Sequence, residues 1–111
     1  MSTPLSMSTI EVIARGLIDH TQINSMKLIN FRKCALTKEM LNVISPYLPY
    51  IEVVRLYGNS SLTLDGYEAL VEAINNMESG KRRLRKLYVN KEHADHVHKL
   101  LKHVTPAINV V

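Results

Sequence analysis

The chain has 111 residues, 46% of them apolar and 22% charged, with 14 Lys and Arg against 10 Asp and Glu for a net charge of +4. This is the composition of one ordinary globular domain and excludes a disordered chain or a multi-domain assembly. One cysteine rules out an intramolecular disulfide. No apolar run reaches the roughly 20 residues of a membrane span, and the first residues lack the basic and apolar segments of a signal peptide, so the cytosol or the nucleus is the expected compartment.

Residues 1–7 read as a flexible tail and 8–111 as a single domain opened by a capping helix. In that helix Ile10, Val12, Ile13, Leu17 and Ile18 form the apolar set, with Ser8 or Thr9 as its cap. A repeat follows. The pattern apolar-x-x-apolar-x-apolar-x-x-Asn/Cys fits Met26, Ile29, Phe31 and Cys34, then Ile51, Val54, Leu56 and Asn59. A third copy runs Leu84, Leu87 and Val89, with Glu92 at the Asn/Cys position, and Ile108 and Val110 open a truncated fourth. The copies start at 26, 51 and 84, intervals of 25 and 33 residues. The longer interval holds Ser60, Ser61 and the polar stretch 78–83, and loop growth of that kind costs little.

Each short apolar run leads into a helical pattern. Thr37 caps a helix with Met40, Leu41, Ile44 and Leu48 on one face, ended by Pro46 and Pro49. Residues 62–66 lead into Tyr67, Leu70, Val71 and Ile74. The third helix spans about His93 to His103, burying Val97, Leu100, Leu101 and Val104 before Pro106 stops it. Strands alternating with helices demand parallel pairing. Alternate strand residues are polar, among them Asn30, Arg32, Arg55, Tyr57, Lys86, Tyr88 and Asn90. Only one face of the sheet is therefore apolar, which is the pattern of a solenoid arc and not of a doubly wound sheet.

The stretch 54–74, with its Asn59, Leu62, Thr63, Asp65, Gly66 and the Ala69, Leu70, Ala73, Ile74 helix, resembles a leucine-rich repeat of the ribonuclease-inhibitor type. Residues 34–37 supply the same turn one repeat earlier, and the resemblance covers about residues 23 to 104. The region 66–77 is similar in particular to the repeat arms of nucleotide-binding leucine-rich-repeat receptors. The resemblance implies a short α/β leucine-rich-repeat solenoid of about three strand-turn-helix units, with a parallel sheet on its concave face and helices on the convex face. It further implies a non-catalytic adaptor or receptor arm that binds a protein. In such a repeat Asn59 and Cys34 turn inward at the strand ends and satisfy backbone groups that the turn would otherwise leave buried.

The solvent-facing residues fall into columns across the strands: Leu28, Val53 and Lys86; Asn30, Arg55 and Tyr88; Arg32, Tyr57 and Asn90. Cationic and aromatic side chains of this kind are enriched at binding hot spots, so an acidic protein segment is the expected partner, held by Asn30, Arg32, Arg55, Tyr57, Lys86, Tyr88 and Asn90. The alternative is nucleic acid or another phospho-ligand on the basic patch Lys81, Arg82, Arg83, Arg85 and Lys86. His93, His96, His98 and His103 crowd the last helix, yet a structural zinc site needs four ligands at matched spacing, usually with Cys, so exposed helix residues are the preferred reading. No phosphate loop or nucleophile elbow occurs, and no catalytic residue, metal or cofactor is expected. The apolar, β-prone terminus 107–111 leads to the expectation that the C-terminal edge strand either pairs with another copy of the chain, a self-association, or is followed by further structure.

Overall fold

A computed structural model describes residues 6–18, 26–78 and 80–111. The expected tail at 1–7 and part of the first repeat's approach lie largely outside them. Helix α1 (Met7–Ile18) is followed by β1 (Leu28–Asn30), α2 (Lys38–Ile44), β2 (Val53–Arg55), α3 (Glu68–Asn76), β3 (Lys86–Tyr88), α4 (Ala94–Leu101) and β4 (Asn109–Val110). Single turns of 3-10 helix at Leu48–Tyr50, Leu64–Tyr67 and Lys91–His93 link them.

The strands form one parallel sheet in the order β1-β2-β3-β4. Its register aligns Ile29, Val54, Leu87 and Val110, and places Leu28, Val53, Lys86 and Asn109 in one neighbouring column and Asn30, Arg55 and Tyr88 in the other. The alternation read from the sequence excludes a one-residue slip of this register, which would turn every apolar residue to the solvent face. Val54 and Leu87 are fully buried, whereas Val53, Arg55, Lys86 and Tyr88 beside them are half-exposed. Pairing continues past the strands, with Phe31 N–H donating to the Arg55 carbonyl at 2.8 Å and Leu56 N–H to that of Tyr88 at 2.7 Å.

Helices α1, α2, α3 and α4 pack successively on one another and share a single core with the apolar side of the sheet. In α1 the buried residues are Ile10, Ala14 and Leu17. Val12 lies about 200° around the helix from Ile10 and is exposed, as is Ile18. The helix starts earlier than the sequence suggested, since the Ser6 hydroxyl accepts from Thr9 N–H at 3.2 Å and so takes the capping role expected of Ser8 or Thr9. The Thr37 cap of α2 is as expected, its hydroxyl accepting from Met40 N–H at 3.2 Å. Helix α4 is shorter than expected. It buries Val97 and Leu101, while Leu100, about 100° away from Leu101, stands 39% exposed.

Close approach explains one glycine. A Cβ on Gly66 would come within 2.6 Å of Leu62 Cδ1, so the chain can enter α3 tightly against the core only with no side chain there. The long interval before β3 is tied to the body by Arg83 and Leu84 N–H groups, which both donate to the Pro49 carbonyl, at 2.9 and 3.0 Å.

Candidate functional site

The turns that follow the strands position the site, and Asn59 organises them. Its side chain is fully buried. Oδ1 accepts from Cys34 N–H at 2.9 Å and Leu36 N–H at 3.0 Å, and Nδ2 donates to the carbonyls of Phe31 at 3.0 Å and Leu56 at 2.6 Å. Four backbone groups from two consecutive turns are thereby satisfied by one amide, as the inward-turned reading of Asn59 requires. Cys34 contributes its backbone to this network. Its thiol is half-buried and donates to the Arg32 carbonyl at 3.2 Å.

Asn90 corrects the sequence reading. It was expected among the exposed, partner-binding residues, but it is only 4% exposed and repeats the Asn59 arrangement in the next turn. Its Oδ1 accepts from Asn59 N–H at 3.1 Å and its Nδ2 donates to the carbonyls of Asn59 at 2.8 Å and Leu62 at 3.3 Å. Its own N–H donates to the hydroxyl of buried Tyr67 at 3.2 Å. Asn90 thus fills the turn position that strict spacing gave to Glu92. After Leu56 the chain runs through residues 57–63 before its 3-10 turn at Leu64, whereas Asn90 alone separates Val89 from the 3-10 turn at Lys91. The third turn is thus the shorter, and its amide directly follows Val89, where Asn59 is separated from Leu56 by Tyr57 and Gly58.

The other expected contact residues do come together on the open face. Arg32 Nη1 donates to the Tyr57 hydroxyl at 3.1 Å, and the Tyr57 and Tyr88 rings lie 6.0 Å apart, tilted by 51°. The Arg55 guanidinium sits 5.2 Å and the Lys86 ammonium 5.3 Å from the centre of the Tyr88 ring, both within cation–π range. Three cations are thus held in a row by two tyrosines. Among the described residues none of the three is ion-paired, the salt bridges there being Lys38–Asp65, Lys81–Glu78 and Arg85–Glu52. Lys86, through a hydrogen bond and its charge, followed by the charge of Arg55, pulls the Tyr88 phenol below its ordinary pKa. Asn30 is exposed at the near end of the row, where its Oδ1 accepts from Arg32 N–H at 3.0 Å.

Sequence reasoning missed a cleft of about 640 Å³ at the far end of this row, walled mainly by apolar surface from Tyr57, Tyr88, Val89, Ala94 and Val111. Val111 reaches it because its N–H donates to the Leu87 carbonyl at 2.8 Å, carrying the chain alongside β3. The only sequence signal was the β-prone terminus.

The basic segment is dispersed. Lys81 faces Glu78 at 3.9 Å and Arg85 faces Glu52 at 3.5 Å, while Arg82 donates to the carbonyls of Leu84 and Pro106 and its charge is disfavoured by partial burial. Lys86 alone of the segment stands in the row on the sheet. Among the histidines, His93 packs edge-on against Tyr67 with ring centres 5.6 Å apart, and His96 and His98 are exposed on α4. No helix among the described residues is long and apolar enough to cross a membrane. No family model, curated protein or solved structure matches the chain.

Proposed function

We propose that this protein is a non-catalytic interaction module, a short leucine-rich-repeat solenoid of the ribonuclease-inhibitor type, that binds an acidic segment of a partner protein along its open sheet face. The observation that carries this reading is the row Arg32, Arg55 and Lys86, without carboxylate partners among the described residues and braced by Tyr57 and Tyr88. Cations held over tyrosine rings are pre-ordered, so a carboxylate that meets them loses less to side-chain ordering than it would on free lysines. Asn30 adds a polar end to the row, and the cleft beside Tyr88 and Val111 offers an apolar residue of the same segment a place to leave water. The dispersal of Lys81, Arg82 and Arg85 weakens the nucleic-acid alternative, because phosphate binding draws on many cations acting together.

A fluorescein-labelled peptide of Glu, Asp and Phe, titrated by anisotropy into wild type and into an Arg55→Glu/Tyr88→Ala variant shown by circular dichroism to be folded, tests the proposal. Binding that is lost in the variant and falls gently with salt supports it. Binding retained by the variant, or a steeper salt response and tighter association with single-stranded RNA, refutes it.

A further inference from the structure

The helical side carries a second surface of opposite charge. Leu100, expected in the core, instead lies at one lip of a groove between α3 and α4, and Leu64 lies at the other, 43% exposed against 39% for Leu100. The groove encloses about 580 Å³ and Val71, half-buried, contributes to its lining. Glu68, Val71 and Glu72 are spaced three and four apart, so they share one face of α3, and the two carboxylates have no ion-pair partner among the described residues. Asp65, at the same rim, is paired with Lys38 at 3.1 Å, and exposed His96 stands opposite on α4.

We infer that this groove receives a basic amphipathic helix from a partner protein. Its leucine-lipped floor matches the apolar stripe of such a helix, in which anchors recur at three-and-four spacing. The rim selects the occupant's charge. Glu68, which Lys38 attracts only at long range, and Glu72 flank the floor without an ion pair among the described residues, so Lys or Arg beside the stripe gains attractive contacts, whereas an acidic helix or an anionic membrane surface is repelled. Helix α3 has nine residues, which at about 1.5 Å per residue gives a groove long enough for a helix of two to three turns. The inference is independent of the sheet-face reading, since no residue of the row from Arg32 to Tyr88 lines this groove.

The probe is a helix-forming peptide of about 14 residues, with leucines spaced three and four apart and lysines elsewhere, titrated into isotope-labelled protein while backbone amide shifts are followed. Saturable shifts confined to Leu64, Val71, Glu72, His96, Leu100 and their neighbours are expected. Both Glu68→Lys/Glu72→Lys and Leu100→Asn should weaken the peptide by about tenfold, and Arg55→Glu on the sheet should leave it unchanged. If Leu100→Asn fails to fold, the charge-reversed pair, whose side chains are exposed, still decides. Absence of saturable shifts, shifts on the sheet face, equal binding of a peptide with glutamine in place of leucine, or indifference to the Glu68→Lys/Glu72→Lys pair would each overturn the inference. So would concentration-dependent self-association that Leu100→Asn abolishes while the peptide has no effect, because the groove's occupant would then be a second copy of the chain.

Discussion

Replacing Asn59 by alanine strips a buried amide from four backbone groups at once. The N–H groups of Cys34 and Leu36 and the carbonyls of Phe31 and Leu56 each lose a partner at 3.0 Å or closer, in a site with no solvent exposure. An unsatisfied buried polar group costs about 1–3 kcal/mol, and entry of water and relaxation of the turn recover part of that, which leaves a net loss of roughly 4 kcal/mol. Against a total stability of about 5–15 kcal/mol for a domain of this class, the variant should be marginal. With a urea slope of about 2 kcal/mol/M, the unfolding midpoint followed by far-ultraviolet circular dichroism should fall by about 2 M. Asn59→Asp sharpens the test. It keeps an acceptor for the two N–H groups but turns an oxygen toward the two carbonyls, so the charged form is disfavoured and the folded pKa rises above the usual aspartate value. Stability is then highest in acid, below the unfolded pKa near 4, and is lost as pH rises through the raised folded value. A midpoint shift below about 0.5 M for the alanine variant, or an aspartate variant that gains stability as pH rises from 3 to 7, would refute the role given to Asn59.

Three further outcomes are expected. Burial, the largest cause, pushes the Tyr67 phenol above its ordinary value, so its contribution to stability is complete below the unfolded pKa near 10 and is lost as pH rises through the folded one. Tyr67→Phe should flatten the alkaline decline of the urea midpoint while costing about 1 kcal/mol at neutral pH, through the orphaned Asn90 N–H. An unchanged alkaline limb would show that Tyr67 is not the group responsible. On the sheet face, Lys86→Ala should move the Tyr88 ionisation, read by the difference in absorbance near 295 nm between proteins with and without Tyr88→Phe, up toward the ordinary phenol value. In the turns, Ala35 has a φ of 56° and Gly58 a φ of 79°. Left-handed backbone costs an L-residue about 1–2 kcal/mol, and a Cβ on Gly58 would also come within 2.7 Å of Lys33 Cγ, so Gly58→Ala should destabilise by at least that much, whereas Ala35→Gly should be neutral or stabilise by up to about 0.5 kcal/mol after glycine's unfolded-state entropy is counted. Equal losses from both changes would contradict this account.

The sequence alone determined the elements that depend on near neighbours. Alternation of apolar and polar residues set the faces of β2 and β3, and the repeat pattern aligned Val54 with Leu87 and Arg55 with Tyr88, because period-two patterning excludes any one-residue slip and the repeat excludes longer ones. The Thr37 cap was legible because it answers a local demand of the backbone for a hydrogen-bond partner, whereas the inward Asn59, most of whose partners lie in the preceding turn, was legible through the repeat pattern that places it. Tertiary structure decided what depends on distance. Asn90 left the exposed row because the third turn is shorter and the Tyr67 hydroxyl and the Asn59 backbone, 23 and 31 residues away, were there to receive it. Leu100 left the core because α4 meets α3 through Val97 and Leu101, a choice of helix rotation that spacing within α4 narrows but does not make. The basic segment, a single cluster on paper, was divided among Glu78, Glu52 and the Pro106 carbonyl, partners that come from three separate parts of the chain. That Arg32, Arg55 and Lys86 on the sheet, and Glu68 and Glu72 on the helical side, are left without an ion pair among the described residues is a property of the fold, because only packing determines which ionic side chains find one another.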